Sequence, residues 1–232
     1  GYTPDTLIPA MWKGVKAMVL NDGAEPNADA FWKVFSSVFG EKVYDDIPVF
    51  DDFYRNGFHN AKDLTFPTDL SKKIVDLAHK KAERVIVATN PFFPAVALQS
   101  RLSWIGLKSE DFDLVTDYEN SHFCKPNPDY YKEILDKFGL KAQNCLMVGN
   151  NIEEDIIPSS KLGFNNFLVT DWLLGEGEVS CPKGSLKEFY DFHLNRFQTL
   201  FANQKNHMYL KNQSKKNMPN QSIHISTCSV IK

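Results

Sequence analysis

Residues 84–89 read Arg-Val-Ile-Val-Ala-Thr, and residues 145–149 read Cys-Leu-Met-Val-Gly. Each run is short and apolar, as expected for a strand buried on both faces of a sheet. Two more such runs, at 113–117 and 166–170, alternate with helical patterns along the chain. Strands that alternate with helices are typical of βαβ units. The sequence therefore predicts a doubly wound α/β domain built on a parallel sheet.

Residues 1–66 are predicted to form a separate, small helical layer. Apolar residues recur at helical spacing over residues 4–20, and further helices are expected to begin at Asn27 and Pro48. Residues 1–60 contain no strand signal. Their aromatic stripes could line a ligand pocket, but apolar residues at this spacing are usually core, and we adopt that interpretation.

The predicted α/β core covers residues 67–202 and ends in an amphipathic segment that runs from Leu186 to Leu200. Residues 203–232 are rich in Asn, Gln, Ser and Lys, a composition that cannot bury much apolar surface. We expect this end of the chain to be a disordered tail. Ile223 and Ile225 alternate with polar residues, so a short strand there is the alternative.

The charge balance restricts the class of ligand. The 232 residues are 43% hydrophobic and 24% charged, which excludes a disordered or fibrous protein, and the formal net charge is -3. Five lysines lie in residues 203–232 without any acid, which leaves residues 1–202 with 21 basic and 29 acidic side chains. Residues 1–202 are therefore too acidic to present a positively charged surface that binds nucleic acid, and the lysines of residues 203–232 are too dispersed to form one. We expect a small anionic ligand that is bound locally.

Cysteine spacing and hydropathy indicate the compartment. Cys124, Cys145, Cys181 and Cys228 are far apart and form no Cys-x-x-Cys pair, which argues against a disulfide framework and a zinc site. No run approaches the roughly 20 apolar residues that a membrane-spanning helix needs. We therefore expect a cytoplasmic protein that neither spans nor binds a membrane.

Polar residues follow the predicted strands at three places where ligands of open α/β sheets bind. The first strand ends at Thr89-Asn90, a loop holds Lys125 before a proline, and the strand over 145–149 runs into Asn150-Asn151 and then Asp155. Each place also has an ordinary explanation, namely helix capping, a solvated lysine, or acids that offset a helix dipole. Only the order of the three places, taken together, indicates a functional site.

In this order the three places resemble the haloacid dehalogenase superfamily of phosphohydrolases, over about residues 67–172. The resemblance implies a Rossmann-like core beneath a helical cap, and a magnesium-dependent phosphomonoesterase that acts on a small phosphorylated metabolite. Thr89 and Lys125 would be catalytic and, with the Asn90 backbone amide, would bind the phosphoryl group. Asn150, Asn151 and Asp155 would lie where the family places its magnesium-binding acids.

The sequence departs from the family pattern in two ways. No Asp-x-Asp-x-Thr, the motif that carries the aspartyl nucleophile on the family's central first strand, occurs in the chain. Because the chain starts at Gly1 within the cap, we expect an N-terminal truncation. The missing strand would leave a gap in the centre of the sheet, which the segment around Ile223 could fill. Without the nucleophile, we expect no hydrolysis by this chain alone. The asparagines at 150 and 151 predict a weakened magnesium site.

These departures leave a second function open. The alternative to a phosphatase is a catalytically dead, phosphate-binding or regulatory protein of the same fold. A nicotinamide-binding enzyme is disfavoured, because no Gly-x-Gly-x-x-Gly follows any predicted strand.

Overall fold

The computed structural model describes residues 2–193 and 222–225, with side chains described through Asp191. The strands are β1 (Arg84–Val87), β2 (Leu114–Val115), β3 (Cys145–Gly149), β4 (Asn165–Val169), β5 (Lys183–Gly184) and β6 (Ser222–Ile225). They form one parallel sheet in the order β2-β1-β6-β3-β4-β5. The predicted α/β fold with a parallel sheet is confirmed.

The centre of the sheet is occupied by β6, the last strand in the chain. Its four residues pair with four residues of β1 on one side and four of β3 on the other. The gap expected at the centre is therefore filled, and the expectation of a disordered tail is wrong for residues 222–225. Such a strand is stabilised by its two neighbours rather than by its own composition. The rest of 203–232 lies outside the described residues.

Helices cover both faces of the sheet. Alternate residues of a strand point to opposite faces. Val85 and Val148 thus pack in one cluster with residues of the helix over 69–81, whereas Ile86 and Met147 pack in another with residues of the helix over 128–138. The helices are α1 (Pro4–Val19), α2 (Asn27–Phe39), α3 (Ile47–Arg55), α4 (Asp69–Lys81), α5 (Ala95–Ser103), α6 (Pro128–Phe138), α7 (Ile157–Leu162) and α8 (Leu186–Glu188).

Two predicted elements differ in detail. The helical pattern that follows the strand over 145–149 begins with a π-helical turn, Ile152–Ile156, before α7. The amphipathic segment after Leu186 forms α8 and a π-helical turn, Phe189–His193, and its remainder lies outside the described residues.

The helical layer α1–α3 is attached to the loop after β2. The N–H of Asn27 donates to the Ser121 carbonyl over 2.9 Å, and the N–H of Ala28 donates to the Tyr118 carbonyl over 2.8 Å. The Trp32 indole also donates to the Tyr118 hydroxyl over 3.2 Å. The layer therefore rests against the carboxyl edge of the sheet.

The aromatic stripes of this layer are core only in part. Trp32 and Phe35 of α2 are buried, as expected, but Val49 and Phe53 of α3 are 67% and 52% exposed. No helix in the part of the chain that the structure describes is both long and apolar enough to cross a membrane.

Candidate functional site

Lys125 lies buried at the carboxyl end of β1, with 2% of its surface exposed. Its ammonium group donates to the Ala88 carbonyl over 2.7 Å and to Asp155 Oδ1 over 2.6 Å. The rings of Tyr130 and Tyr131 lie 5.6 and 5.8 Å from the same nitrogen. A buried cation is costly unless it is paired and hydrogen-bonded, and these contacts meet that requirement. The structure thus brings the Lys-Pro loop to the end of the first predicted strand.

Asn90 ties that loop to β1. Its side-chain amide donates to the Lys125 carbonyl over 3.3 Å, and its Oδ1 accepts the Lys125 N–H over 3.2 Å. The Asn90 side chain therefore pairs with the backbone of Lys125, 35 residues away, as a neighbouring strand would. This is a positioning contact that sequence reasoning did not anticipate, because we considered only the backbone amide of Asn90.

Thr89 lies beside Lys125, but its hydroxyl is directed towards β2. It donates to the Thr116 carbonyl over 2.6 Å, and the Thr89 N–H donates to Thr116 Oγ1 over 2.8 Å. The Thr89 carbonyl accepts the Tyr130 hydroxyl over 2.7 Å. To donate to a phosphoryl oxygen, the Thr89 hydroxyl would have to rotate away from Thr116.

The turn after β3 brings Asp155 to Lys125. Asp155 is 1% exposed, and its Oδ2 accepts the Asn151 N–H over 3.1 Å while Oδ1 pairs with Lys125. A Cβ at Gly149 would lie 2.3 Å from Asp155 Oδ2, closer than any real contact of this kind. Gly149 is therefore required for the close approach of the carboxylate to the strand.

Asn150 and Asn151 make structural hydrogen bonds. Asn151 Oδ1 accepts the N–H groups of Glu153 and Glu154, both over 3.1 Å, and so caps the following helical turn. The Asn150 amide donates to the Trp172 carbonyl over 2.6 Å.

These donors do not fit a magnesium ion. Both oxygens of Asp155 and the side-chain oxygen of Asn151 already accept hydrogen bonds within the protein. Magnesium is usually held by one or more carboxylates in open, near-octahedral geometry. Within residues 2–193, as far as side chains are described, no group of three His, Cys, Asp or Glu side chains could hold a metal.

A second carboxyl group faces the lysine. Burial raises the pKa of Glu154, and the nearby Lys125 opposes this increase. Asn90 also hydrogen-bonds the Glu154 side chain. Glu154 can therefore become neutral more easily than an exposed carboxylate, which limits the negative charge around Lys125.

A carboxyl pair that was not predicted from the sequence, Asp117 and Glu119, follows β2. Burial, and then the neighbouring Asp117 carboxylate, raise the pKa of Glu119 to about 8. Glu119 Oε2 accepts the Ala95 N–H at the start of α5 over 3.0 Å. The signal in the sequence was Asp117-Tyr118-Glu119 directly after an apolar run, at the edge where site residues were sought. The pair links β2, α5 and the loop that holds the helical layer.

Comparison with known proteins supports one family. The sequence model described as "haloacid dehalogenase-like hydrolase" matches residues 25–163. A curated glyceraldehyde 3-phosphate phosphatase from Methanothermobacter thermautotrophicus is 29% identical over 151 residues, which are 63% of this chain and 63% of that protein. The chain thus spans less than two thirds of the length of this relative.

Solved structures from the same family are similar at low sequence identity. A phosphatase from Thermococcus onnurineus matches with a TM-score of 0.39 at 14% identity, over 50% of this chain and 53% of that one. A family hydrolase from Xanthomonas campestris matches with a TM-score of 0.46 at 12% identity, over 88% and 92%. The L-2-haloacid dehalogenase from Xanthobacter autotrophicus matches with a TM-score of 0.42 at 15% identity, over 94% and 77%.

Proposed function

The chain belongs to the haloacid dehalogenase-like hydrolases, and on that premise we propose that it is a phosphatase that acts on small phosphate esters. Its 29% identity to a curated phosphatase supports phosphate esters over other substrate classes of the family. Residues 1–66 would act as the cap over the site. A cytoplasmic location belongs to the same proposal, and the free thiols of Cys124, Cys145 and Cys181 support it.

The observation that carries the proposal is the buried ammonium group of Lys125 at the carboxyl edge of the sheet. Ligands of open parallel sheets bind at that edge, and phosphoryl transfer depends chiefly on positioning and charge neutralisation. Lys125 would balance the charge of the bound phosphate. Thr89 would donate its hydroxyl after leaving Thr116, and the Asn90 backbone amide would donate alongside it.

The described residues supply neither a fitting magnesium site nor the family's nucleophile. The central strand reads Ser-Ile-His-Ile over 222–225 and contains no carboxylate. The Asp-x-Asp of this sequence, Asp111-Phe112-Asp113, precedes β2, where Asp113 instead pairs with Arg84 over 2.6 Å. These observations favour a second candidate function, binding of phosphate esters without turnover. The family resemblance implies magnesium dependence, whereas the described residues do not supply the ligands, and the assay with and without added magnesium tests this disagreement.

The experiment is the hydrolysis of p-nitrophenyl phosphate by the full chain, with and without added magnesium, alongside the binding of inorganic phosphate. Turnover by this chain would support an active phosphatase against the inactivity expected from the missing nucleophile, and Lys125→Ala should then lower it by about 100-fold or more, the scale seen when a preorganised charge-stabilising donor is removed. Lys132→Ala is the matched control, because Lys132 is exposed and pairs with the surface residue Asp129 over 2.7 Å.

The two candidate functions predict different results. Phosphate binding without turnover under either condition selects the binding protein over the phosphatase. Neither binding nor turnover in a folded chain contradicts both. A thermal melt of each variant shows whether a loss of activity reflects the site or the fold, since Lys125→Ala leaves Asp155 buried without its cation.

A further inference from the structure

The turn between α1 and α2, residues 20–26, packs against the segment that leads into Lys125. Gly23 in this turn has a positive φ of 90°, and a Cβ added there would lie 2.3 Å from an atom of the Phe123 ring. This distance is shorter than any real contact of this kind, so the close approach requires glycine, as the positive φ also does. The helical layer α1–α3 therefore contacts the core two residues before the buried cation.

Asn27, the first residue of α2, binds the same segment through hydrogen bonds. It is completely buried, and its N–H donates to the Ser121 carbonyl over 2.9 Å. Its side-chain amide donates to the Phe123 carbonyl and to Cys124 Sγ, each over 3.4 Å. Its Oδ1 accepts the side-chain amide of Asn21 over 3.0 Å. Because a buried polar group without a partner is costly, these bonds hold the segment against α2.

Apolar packing extends from this segment to the residue next to Lys125. Cys124 is 2% exposed and packs in one cluster with Met18 of α1 and with Tyr118. On the other side, the Lys125 N–H donates to Asn90 Oδ1 over 3.2 Å. The chain around Lys125 thus lies between the helical layer and the end of β1. Because packed interiors transmit displacements, a shift of the α1–α2 turn would move the backbone of Lys125.

We propose that the α1–α2 turn positions Lys125, with Gly23 and Asn27 as the positioning residues, and that the helical layer thereby sets the affinity of the phosphate site. The inference rests on the proposed function, in which Lys125 is the cation that binds phosphate. The ammonium group lies 2.7 Å from the Ala88 carbonyl and 2.6 Å from Asp155, so a displaced backbone would misplace the charge. Gly23 and Asn27 act through the protein backbone rather than by touching the ligand.

The test measures the affinity of the full chain for inorganic phosphate by calorimetric titration. Gly23→Ala places a methyl group against Phe123, and Asn27→Ala removes the side-chain hydrogen bonds. Each variant is expected to bind phosphate about fivefold more weakly, within the range for residues that act on a site through a coupled network. Gly40→Ala is the matched control. Gly40 also lies in the helical layer with a positive φ, 82°, but no atom of the described residues lies within 4 Å of a Cβ added there, so phosphate affinity should not change.

Two further measurements separate positioning from a loss of stability. In a chain with Asp155→Asn and Lys125→Met no ammonium group remains to be positioned, so Gly23→Ala should not weaken phosphate binding further. Hydrogen exchange reports on the segment directly. Gly23→Ala and Asn27→Ala should speed exchange of the Lys125 amide and leave exchange of the amides in Cys145–Gly149 unchanged. A general loss of stability would instead speed exchange at both places.

Equal phosphate affinity in Gly40→Ala and in the two test variants would overturn the inference. A loss of affinity that persists without the Lys125 ammonium group, or equally faster exchange in β3, would overturn it as well. If the unmodified chain does not bind inorganic phosphate, the proposed function fails and hydrogen exchange decides the inference. Faster exchange confined to Lys125 then supports it, and unchanged exchange contradicts it. Asn27→Ala adds no atoms to the contact, so it carries the test where Gly23→Ala does not fold.

Discussion

Removal of β6 should abolish cooperative folding of the α/β core. In a chain that ends at residue 221, four residues of β1 and four of β3 lose the partners that Ser222–Ile225 provides. A buried backbone group without a partner costs about 1–3 kcal/mol. Even one such group for each facing residue gives about 8 kcal/mol, which is comparable to the whole stability of a typical domain, about 5–15 kcal/mol.

The assay is urea unfolding followed by near-ultraviolet circular dichroism, with hydrogen exchange of the amides in Arg84–Val87 and Cys145–Gly149. The matched control is a chain that ends at Ile225, which keeps β6 and lacks only the residues after it. We expect the control to unfold cooperatively and the shorter chain to exchange these amides rapidly. Equal urea midpoints and equal protection in the two chains would refute the placement of β6 between β1 and β3.

Three further outcomes follow from the site. Gly149→Ala should lower stability by about 1–3 kcal/mol in a urea titration, because its Cβ would overlap Asp155 Oδ2. An unchanged midpoint would contradict that packing. The pKa of Glu119 is raised to about 8, so the folded chain keeps a proton on this carboxyl group that the unfolded chain loses near pH 4.5. Stability should therefore fall as the pH rises from about 5 to 8. In pH-dependent melts Glu119→Gln should reduce this fall, and an equal fall in the variant would contradict the raised pKa. Finally, the oxygens of Asp155 and Asn151 do not fit a magnesium ion, so adding magnesium or a chelator should leave the melting temperature unchanged. An upward shift of the melting temperature with magnesium would show a metal site that the described residues lack.

The strands could be predicted where local signals were strong. The apolar runs that became β1, β3 and β4 are bounded by polar turns, and burial on both faces leaves a clear pattern in the sequence. The helical pattern between the runs at 113–117 and 145–149 became α6, in which Asn127 caps the first turn and Gly139 ends the helix in the left-handed conformation. The signals that predict these strands and this helix come from residues close to one another in the sequence.

The sequence offered β6 only as the alternative to a disordered tail, because its four residues lie in a polar region and their hydrogen-bond partners are more than 70 residues away. Composition predicts local order, whereas strand pairing is a tertiary property. The same limit applies to Gly23 and Phe123, whose contact joins two distant segments that carry no shared motif.

The three polar places lie close together at the carboxyl edge of the sheet, but the bonds of several side chains differ from those expected. Lys125 reaches the end of β1 and Asp155, as the order of the three places suggested. Asn151 instead caps a helical turn, and Thr89 donates to Thr116. Short polar side chains at strand ends can bond to nearby backbone groups as readily as to a ligand, and the sequence does not distinguish these uses.

The central claim, that Lys125 is the cation of a phosphate site, is tested most directly by calorimetric titration of inorganic phosphate into two variants. Asp155→Asn removes the carboxylate that competes for Lys125, so phosphate should bind more tightly than in the unmodified chain. Adding Lys125→Met removes the cation while leaving no buried charge unpaired, so binding should weaken by at least about tenfold relative to Asp155→Asn, a difference of about 1.4 kcal/mol. Equal phosphate affinity in the two folded variants would contradict the account.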